Sequence, residues 1–291
     1  MTQKILRVFF SCVLSLFIAL LCLAGGVCKF AQVTVCDTAS MLRVAGEEGF
    51  TAQLYEEIEY DWDNLVSITG VTEPEEIMSV LTQEQVEQDA LKYITDSYTG
   101  TATVDTSELR SQLDEKVRNY AYSHNINATP EAELEQNIND LVDACIIDYT
   151  DAIQIPLLPK ILGFVGSLGE RLGKLVPFIA AGAGVLILFL FFLQKKHRDI
   201  LYYTAISSAT AGIVLIGVNL LTEHYEILSR LPFSESAVKT LVTSYLQMIL
   251  DELNKYSTFY LLIGALLLAV YLLVCLLVKL FSKASHPAIE Q

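Results

Sequence analysis

Positive charge is scarce in this chain. Among 291 residues, 19 are Lys or Arg and 34 are Asp or Glu, for a formal net charge of −15. Binding a polyanion requires a basic surface, so nucleic acid is excluded as a partner. Metal patterns are missing too. The four histidines (His124, His197, His224 and His286) form no HExxH pair, and the six cysteines form no CxxC, so no zinc site is expected. Asp61 and Asp63 in YDWDN lack the glycine and the distant glutamate of a calcium loop. No GxSxG elbow marks a nucleophile. Gly173-Lys174 is followed by Leu175, with Leu168 where a phosphate loop needs its leading glycine. No catalytic residue and no cofactor follow from these patterns.

What the chain does have is apolar length. Hydrophobic residues make up 53% of it, and the excess is concentrated in Val8–Cys28, Leu175–Leu193, Ile200–Leu221 and Phe259–Phe281. Roughly 20 apolar residues in a helix cross a hydrocarbon core of about 30 Å. None of the four runs has an acid or base in its central part. The expected fold class is therefore all-α, an integral membrane protein with four transmembrane helices. An irregular helical bundle is expected outside the membrane, inserted between spans one and two. The first run, preceded by Lys4 and Arg7, resembles a signal peptide in its flank. Its apolar stretch exceeds the usual ~7–15 residues, so an uncleaved anchor is expected over residues 1–29.

Charge gives the spans a direction. Lys and Arg are retained in short cytoplasmic loops close to the membrane. Lys4 and Arg7 precede span one, Lys195, Lys196 and Arg198 join spans two and three, and Lys279 and Lys283 end span four. With four crossings, all three groups fall on one side. Residues 30–174 hold 27 acids against 8 bases, and long acidic segments translocate readily. The expected location is the plasma membrane, with both termini cytoplasmic and the large domain extracytoplasmic. The lipid bilayer is then one partner. The basic QKKHRD link is read as a topology signal able to touch anionic head groups.

The acidic segment 30–156 carries helical periodicity. Phe50, Leu54, Ile58, Trp62 and Leu65 recur at three- and four-residue spacing. Pro74 stands near a helix start, and Thr82 with Gln85 forms a capping-box pattern. Val86, Ala90, Leu91 and Ile94 mark one buried face; Leu109, Leu113, Val117 and Tyr120 mark another, in a helix opened by Asp105 or Thr106. Residues 98–106 are rich in Thr and Gly, as in an extended stretch. Thr129 and Pro130 open a last helix whose stripe runs through Ile138, Leu141, Val142, Cys145, Ile146, Tyr149 and Ile153. Asn127-Ala128-Thr129 has the form of a glycosylation sequon but is read as this helix start. Four to five helices are expected.

Residues 157–174 place Gly163, Gly166, Gly169 and Gly173 at three- or four-residue intervals. They are either a small-residue strip on a helix or a loose juxtamembrane turn. Residues 222–258 hold an amphipathic helix with Ser234 as a cap, and its mixed charge favours docking on protein over lying on lipid. Residues 282–291 form a cytoplasmic tail. In the spans, Thr204, Ser208 and Gly212 repeat every four residues, and Ala180 and Gly184 lie in span two; such residues pack helices closely. A transport path is the competing reading, though pumps and ion carriers use buried charges. Cys36 and Cys145 are either a disulfide closing a long loop or two free thiols.

The wording LTQEQVEQDALKYITDSYTGTATVDTSELRSQLDEKVRNYA, Leu81–Ala121, resembles uncharacterised multi-span membrane proteins of Gram-positive, clostridial-type bacteria. The resemblance covers about the first two thirds of the chain. It implies a helical extracytoplasmic domain after a first span, and no activity. The layout is similar, in topology only, to the permease half of MacB-like export systems. The expected function is a non-enzymatic cell-envelope role in interaction, sensing or assembly, with a protein partner in the membrane or envelope. The alternative is a transport component, a small permease or an accessory subunit. A membrane-bound hydrolase ranks third and would require His124, a serine and carboxylates to converge.

Overall fold

A computed structural model describes residues 2–47, 49–124, 131–194, 196, 198–225 and 236–284. Lys195, His197, Asn127, Thr129, Pro130, Ser234 and His286 lie outside the described residues, as do the side chains of Lys4 and Lys283. Among the described residues there is no strand. The helices are α1 (Thr2–Phe30), α2 (Thr38–Glu47), α3 (Phe50–Thr69), α4 (Pro74–Met78), α5 (Gln83–Ser97), α6 (Ser107–Ser123), α7 (Glu131–Ile153), α8 (Leu158–Leu193), α9 (Arg198–His224) and α10 (Ser236–Ala284). A π-helical turn, Ala31–Val35, continues α1.

Four stretches are long and apolar enough to cross a membrane, within Ile5–Val35, Glu131–Leu193, Arg198–Thr222 and Ala237–Phe281. The second range includes α7, whose acids place the crossing part in α8. Phe178, Phe192 and Phe281 are exposed to 75%, 81% and 72%. Such an apolar exterior is costly in water and suits lipid.

The chain forms two compact units, one of residues 1–35, 168–230 and 247–291, the other of residues 36–167 and 231–246. In the first, α1 packs on α8, α9 and α10. A Cβ on Gly212 would lie 2.8 Å from Leu261 Cγ and 2.9 Å from the Ser257 carbonyl. One on Gly264 would lie 3.0 Å from the Ala205 carbonyl. The α9–α10 seam thus closes to backbone contact, as small residues permit. Ser15 Oγ and Ser207 Oγ lie 3.0 Å apart across α1 and α9, and Ser208 Oγ donates to the Tyr260 carbonyl at 2.8 Å. Tyr260 Oη donates to the Cys22 carbonyl at 3.0 Å. Phe30, Leu215 and Leu253 close one end of this bundle, with Tyr256 edge-on to Phe30 at 5.6 Å.

The span-packing residues divide. Ser208 and Gly212 lie in the α9–α10 seam, whereas Thr204 Oγ1 bonds within its own helix to the Ile200 carbonyl at 2.8 Å. Ala180 and Gly184 are exposed, with open space at Gly184. The α1–α8 contact instead sets Gly25 against Ile179 at 3.2 Å and Leu21 against Gly182 at 3.5 Å. Small residues crowd this part of α8, and only the partner's position selects among its faces.

The second unit is built on the pairing of α3 with α7. Phe50, Leu54, Ile58 and Trp62 are buried as the periodicity predicts, but Val66 replaces Leu65 as the last of them. The stripe from Ile138 to Ile153 on α7 is buried throughout. Trp62 Nε1 donates to the Cys145 carbonyl at 3.2 Å, and Tyr149 Oη donates to Asp89 Oδ2 at 2.7 Å. On α6, Ala121 takes the buried place expected of Tyr120. Arg118 joins α6 to α7 through Glu135, with Asn139 Oδ1 at 3.0 Å.

Several boundaries differ from expectation. Helix α2 is an addition: Asp37 Oδ2 accepts from the Ser40 N–H at 3.2 Å, and Met41, Val44 and Ala45 are buried. Residues 101–106 are coil, after Gly100 at φ 85°, a left-handed turn that suits glycine. Helix α6 starts at Ser107, whose N–H donates to Asp105 Oδ1 at 3.1 Å. Residues 158–174 are helical within α8, so the glycine strip holds over the loose turn. Gly163 sits against Gly100 Cα and Gly166 against the Tyr98 carbonyl. The amphipathic helix and the fourth span form one helix, α10, of 49 residues. In the second unit its start docks on protein. Ala237, Val238 and Leu241 are buried, and the Ala237 N–H donates to Glu57 Oε1 at 2.9 Å.

All six cysteines are free thiols. Cys36 is half-buried and Cys145 buried. Burial, then the Asp148 charge, pushes the Cys145 thiol up to about 12, which leaves it unreactive.

Asp148 is itself strained electrostatically. Its Oδ2 is buried without a hydrogen-bond partner among the described residues. Burial, followed by the like charges of Asp61 and Asp151, pushes its carboxyl from 3.8 up to about 6. The native state therefore holds this proton more tightly than the unfolded chain. The resulting stabilisation is complete below the ordinary carboxylate range and is lost as pH rises through about 6. At neutral pH the ionised group destabilises the unit. Asp148→Asn is expected to stabilise it there by ~1–2 kcal/mol after allowance for solvent screening. That gain should shrink as pH falls toward about 4, which paired thermal melts across this range will read.

Candidate functional site

The second unit carries an open polar cleft of about 660 Å³ between α4, the start of α5 and α6. Its walls follow from helix periodicity. Leu109, Leu113, Val117 and Ala121 turn the buried stripe of α6 inward, so Gln112 and Lys116, one position before buried residues, and Asn119 and Ser123, two positions either side of Ala121, line the cleft. The facing wall is a chain reversal. Ser79 ends α4, and its N–H donates to the Glu75 carbonyl at 3.1 Å. Thr82 then starts α5 by accepting from the Gln85 N–H at 3.2 Å. Glu76 and Gln85 thereby face α6.

The chemistry of the cleft is that of a binding surface. Lys116 Nζ lies 4.0 Å from Glu76 Oε2, both about half exposed; a pair this open is worth little to stability and is free to exchange partners. Gln85, Gln112 and Asn119 add amide donors and acceptors. Tyr120 and His124 stack at 4.1 Å with planes 21° apart. Burial, then the Glu73 carboxylate, raises the Tyr120 phenol above its ordinary value, so it stays a neutral donor.

His124, Ser123 and Glu76 share this cleft, as a hydrolase would require. Ser123 Oγ lies 3.1 Å from His124 Nδ1. The same Nδ1 lies 3.2 Å from the Tyr120 carbonyl, to which Ser123 Oγ donates at 3.0 Å. The single Ser123 hydroxyl hydrogen is directed to that carbonyl and not to the imidazole. These contacts are those of a helix end, with His124 as the C-cap residue of α6.

Among the described residues, no cluster of His, Cys, Asp or Glu could hold a metal ion. Of the basic residues read as topology determinants, Lys196 is exposed and Arg7 half-buried, and Arg198 Nε lies 3.6 Å from Asp199 Oδ1. None of them lines the cleft. Periodicity could mark the α6 face beside its buried stripe, but not that α4 and α5 would stand opposite it. Comparison with protein-family models, with curated proteins and with solved structures finds no match.

Proposed function

We propose that this chain is a multi-pass plasma-membrane protein with a non-enzymatic role in the cell envelope, in interaction, sensing or assembly. Its acidic helical unit lies outside, and the cleft between α4, α5 and α6 receives a protein partner. The observation that carries the reading is the cleft itself, open and lined by an exposed Lys116–Glu76 pair and by amides. The spans support it indirectly. Ser15, Ser207 and Ser208 spend their hydroxyls on neighbouring helices, which favours packing over a solute path. Lysine crosslinking of native membranes, read by mass spectrometry, should join Lys116 to a second protein. Recovery of no partner, together with solute movement by the purified chain in vesicles, would overturn the proposal in favour of a transport component.

A further inference from the structure

The membrane unit carries a groove that its own side chains do not fill. Phe10, Leu14 and Phe17 of α1 face Leu186, Phe189 and Leu193 of α8 across a gap of about 480 Å³. Glycines bring these helices together at Gly25 and Gly182; toward residues 10 and 193 bulky side chains hold them apart. The slot is apolar along its length, and its end is not. Gln194 Nε2 donates to Ser11 Oγ at 2.5 Å, which sets residues 11 and 194 at one level. Arg7 stands one turn before Ser11 and two turns before Leu14, on the same face of α1 as Leu14. Lys196 stands two residues beyond Gln194 and is exposed. Arg198 is engaged with Asp199; among the described side chains this leaves Arg7 and Lys196 at the level of the groove's mouth.

We infer that this groove holds an acyl chain of an anionic phospholipid, with its phosphate on Arg7 and Lys196. From residue 10 to residue 17 the slot is about 10 Å long, within the ~15 Å of hydrocarbon in one leaflet. A helix is about 10–12 Å across and needs more room than the gap provides. Basic residues at the interfacial end of an interhelical groove recognise anionic head groups. The pair also gives the basic link a use beyond marking sidedness.

The test uses the full chain, purified in detergent and stripped of lipid. Phosphatidylglycerol and phosphatidylcholine, each with a photoreactive acyl chain, are added in separate arms, and labelled peptides are mapped. Phosphatidylglycerol should label residues 10–17 and 186–193, in roughly tenfold excess over phosphatidylcholine, given two cations at the head group. Arg7→Gln with Lys196→Gln should bring the two lipids to parity, with labelling still confined to the groove. Leu14→Trp should fill the slot and remove the label. Labelling spread evenly over the four spans of the unmodified chain would overturn the inference, whatever the variants do. So would an undiminished preference in the folded double variant.

Discussion

Trp62→Ala is expected to cost the helical unit ~3–5 kcal/mol, the usual range for removing a large aromatic side chain from a core. Trp62 is fully buried, donates to the Cys145 carbonyl and packs beside Tyr149 with ring centroids 6.3 Å apart. It joins α3 to α7, the pair on which the unit is built. Its loss leaves a cavity and removes a hydrogen bond between α3 and α7, against a total domain stability of only about 5–15 kcal/mol. Limited trypsin digestion of the full chain in detergent should cut the variant at Lys92 and Arg110 while the wild type resists. Tyr60, two residues earlier and 69% exposed, provides the control: Tyr60→Ala should leave the digestion pattern unchanged. Trp62 is the chain's one tryptophan, so wild-type emission should be blue-shifted and move red as this unit unfolds.

Gly212→Leu should have the second largest effect, on the membrane unit. Even a Cβ at Gly212 would come within 2.9 Å of the Ser257 carbonyl, a backbone atom that no rotamer change can move aside. A leucine must push α10 from α9, which also breaks the Ser208–Tyr260 hydrogen bond. Overpacking of this kind costs ~1–3 kcal/mol or more. Gly217, on the same helix but in open space, is the matched control. Thermal aggregation in detergent should start at lower temperature for Gly212→Leu and be unchanged for Gly217→Leu.

The sequence makes some of this architecture legible and hides the rest for identifiable reasons. The α7 stripe can be read because every buried residue falls at helical spacing over 23 residues. Helix α2 is missed because ten residues with three buried positions hold too few apolar repeats. The single length of α10 is hidden by Asn254-Lys255-Tyr256-Ser257-Thr258, which looks like a membrane border. In the helix Ser257 Oγ donates to the Asn254 carbonyl at 2.7 Å and Thr258 Oγ1 to the same oxygen at 2.9 Å, so the polar run satisfies itself without a break. The cleft is beyond periodicity altogether, since its walls come from three helices that only tertiary packing brings together. The groove between α1 and α8 is similar: Phe10 and Phe189 each look like ordinary span residues until the two helices are set side by side.

The acidic helical unit is proposed to lie outside the cell and the basic link inside. The most direct test of this placement is to treat intact cells making the full chain with a membrane-impermeant amine reagent and to map modified lysines. Lys92, Lys116 and Lys160 are exposed on the helical unit, and Lys196 is exposed on the link. The first three should be modified in intact cells and Lys196 only after lysis. Modification of Lys196 in intact cells, with Lys92, Lys116 and Lys160 protected until lysis, would contradict the placement.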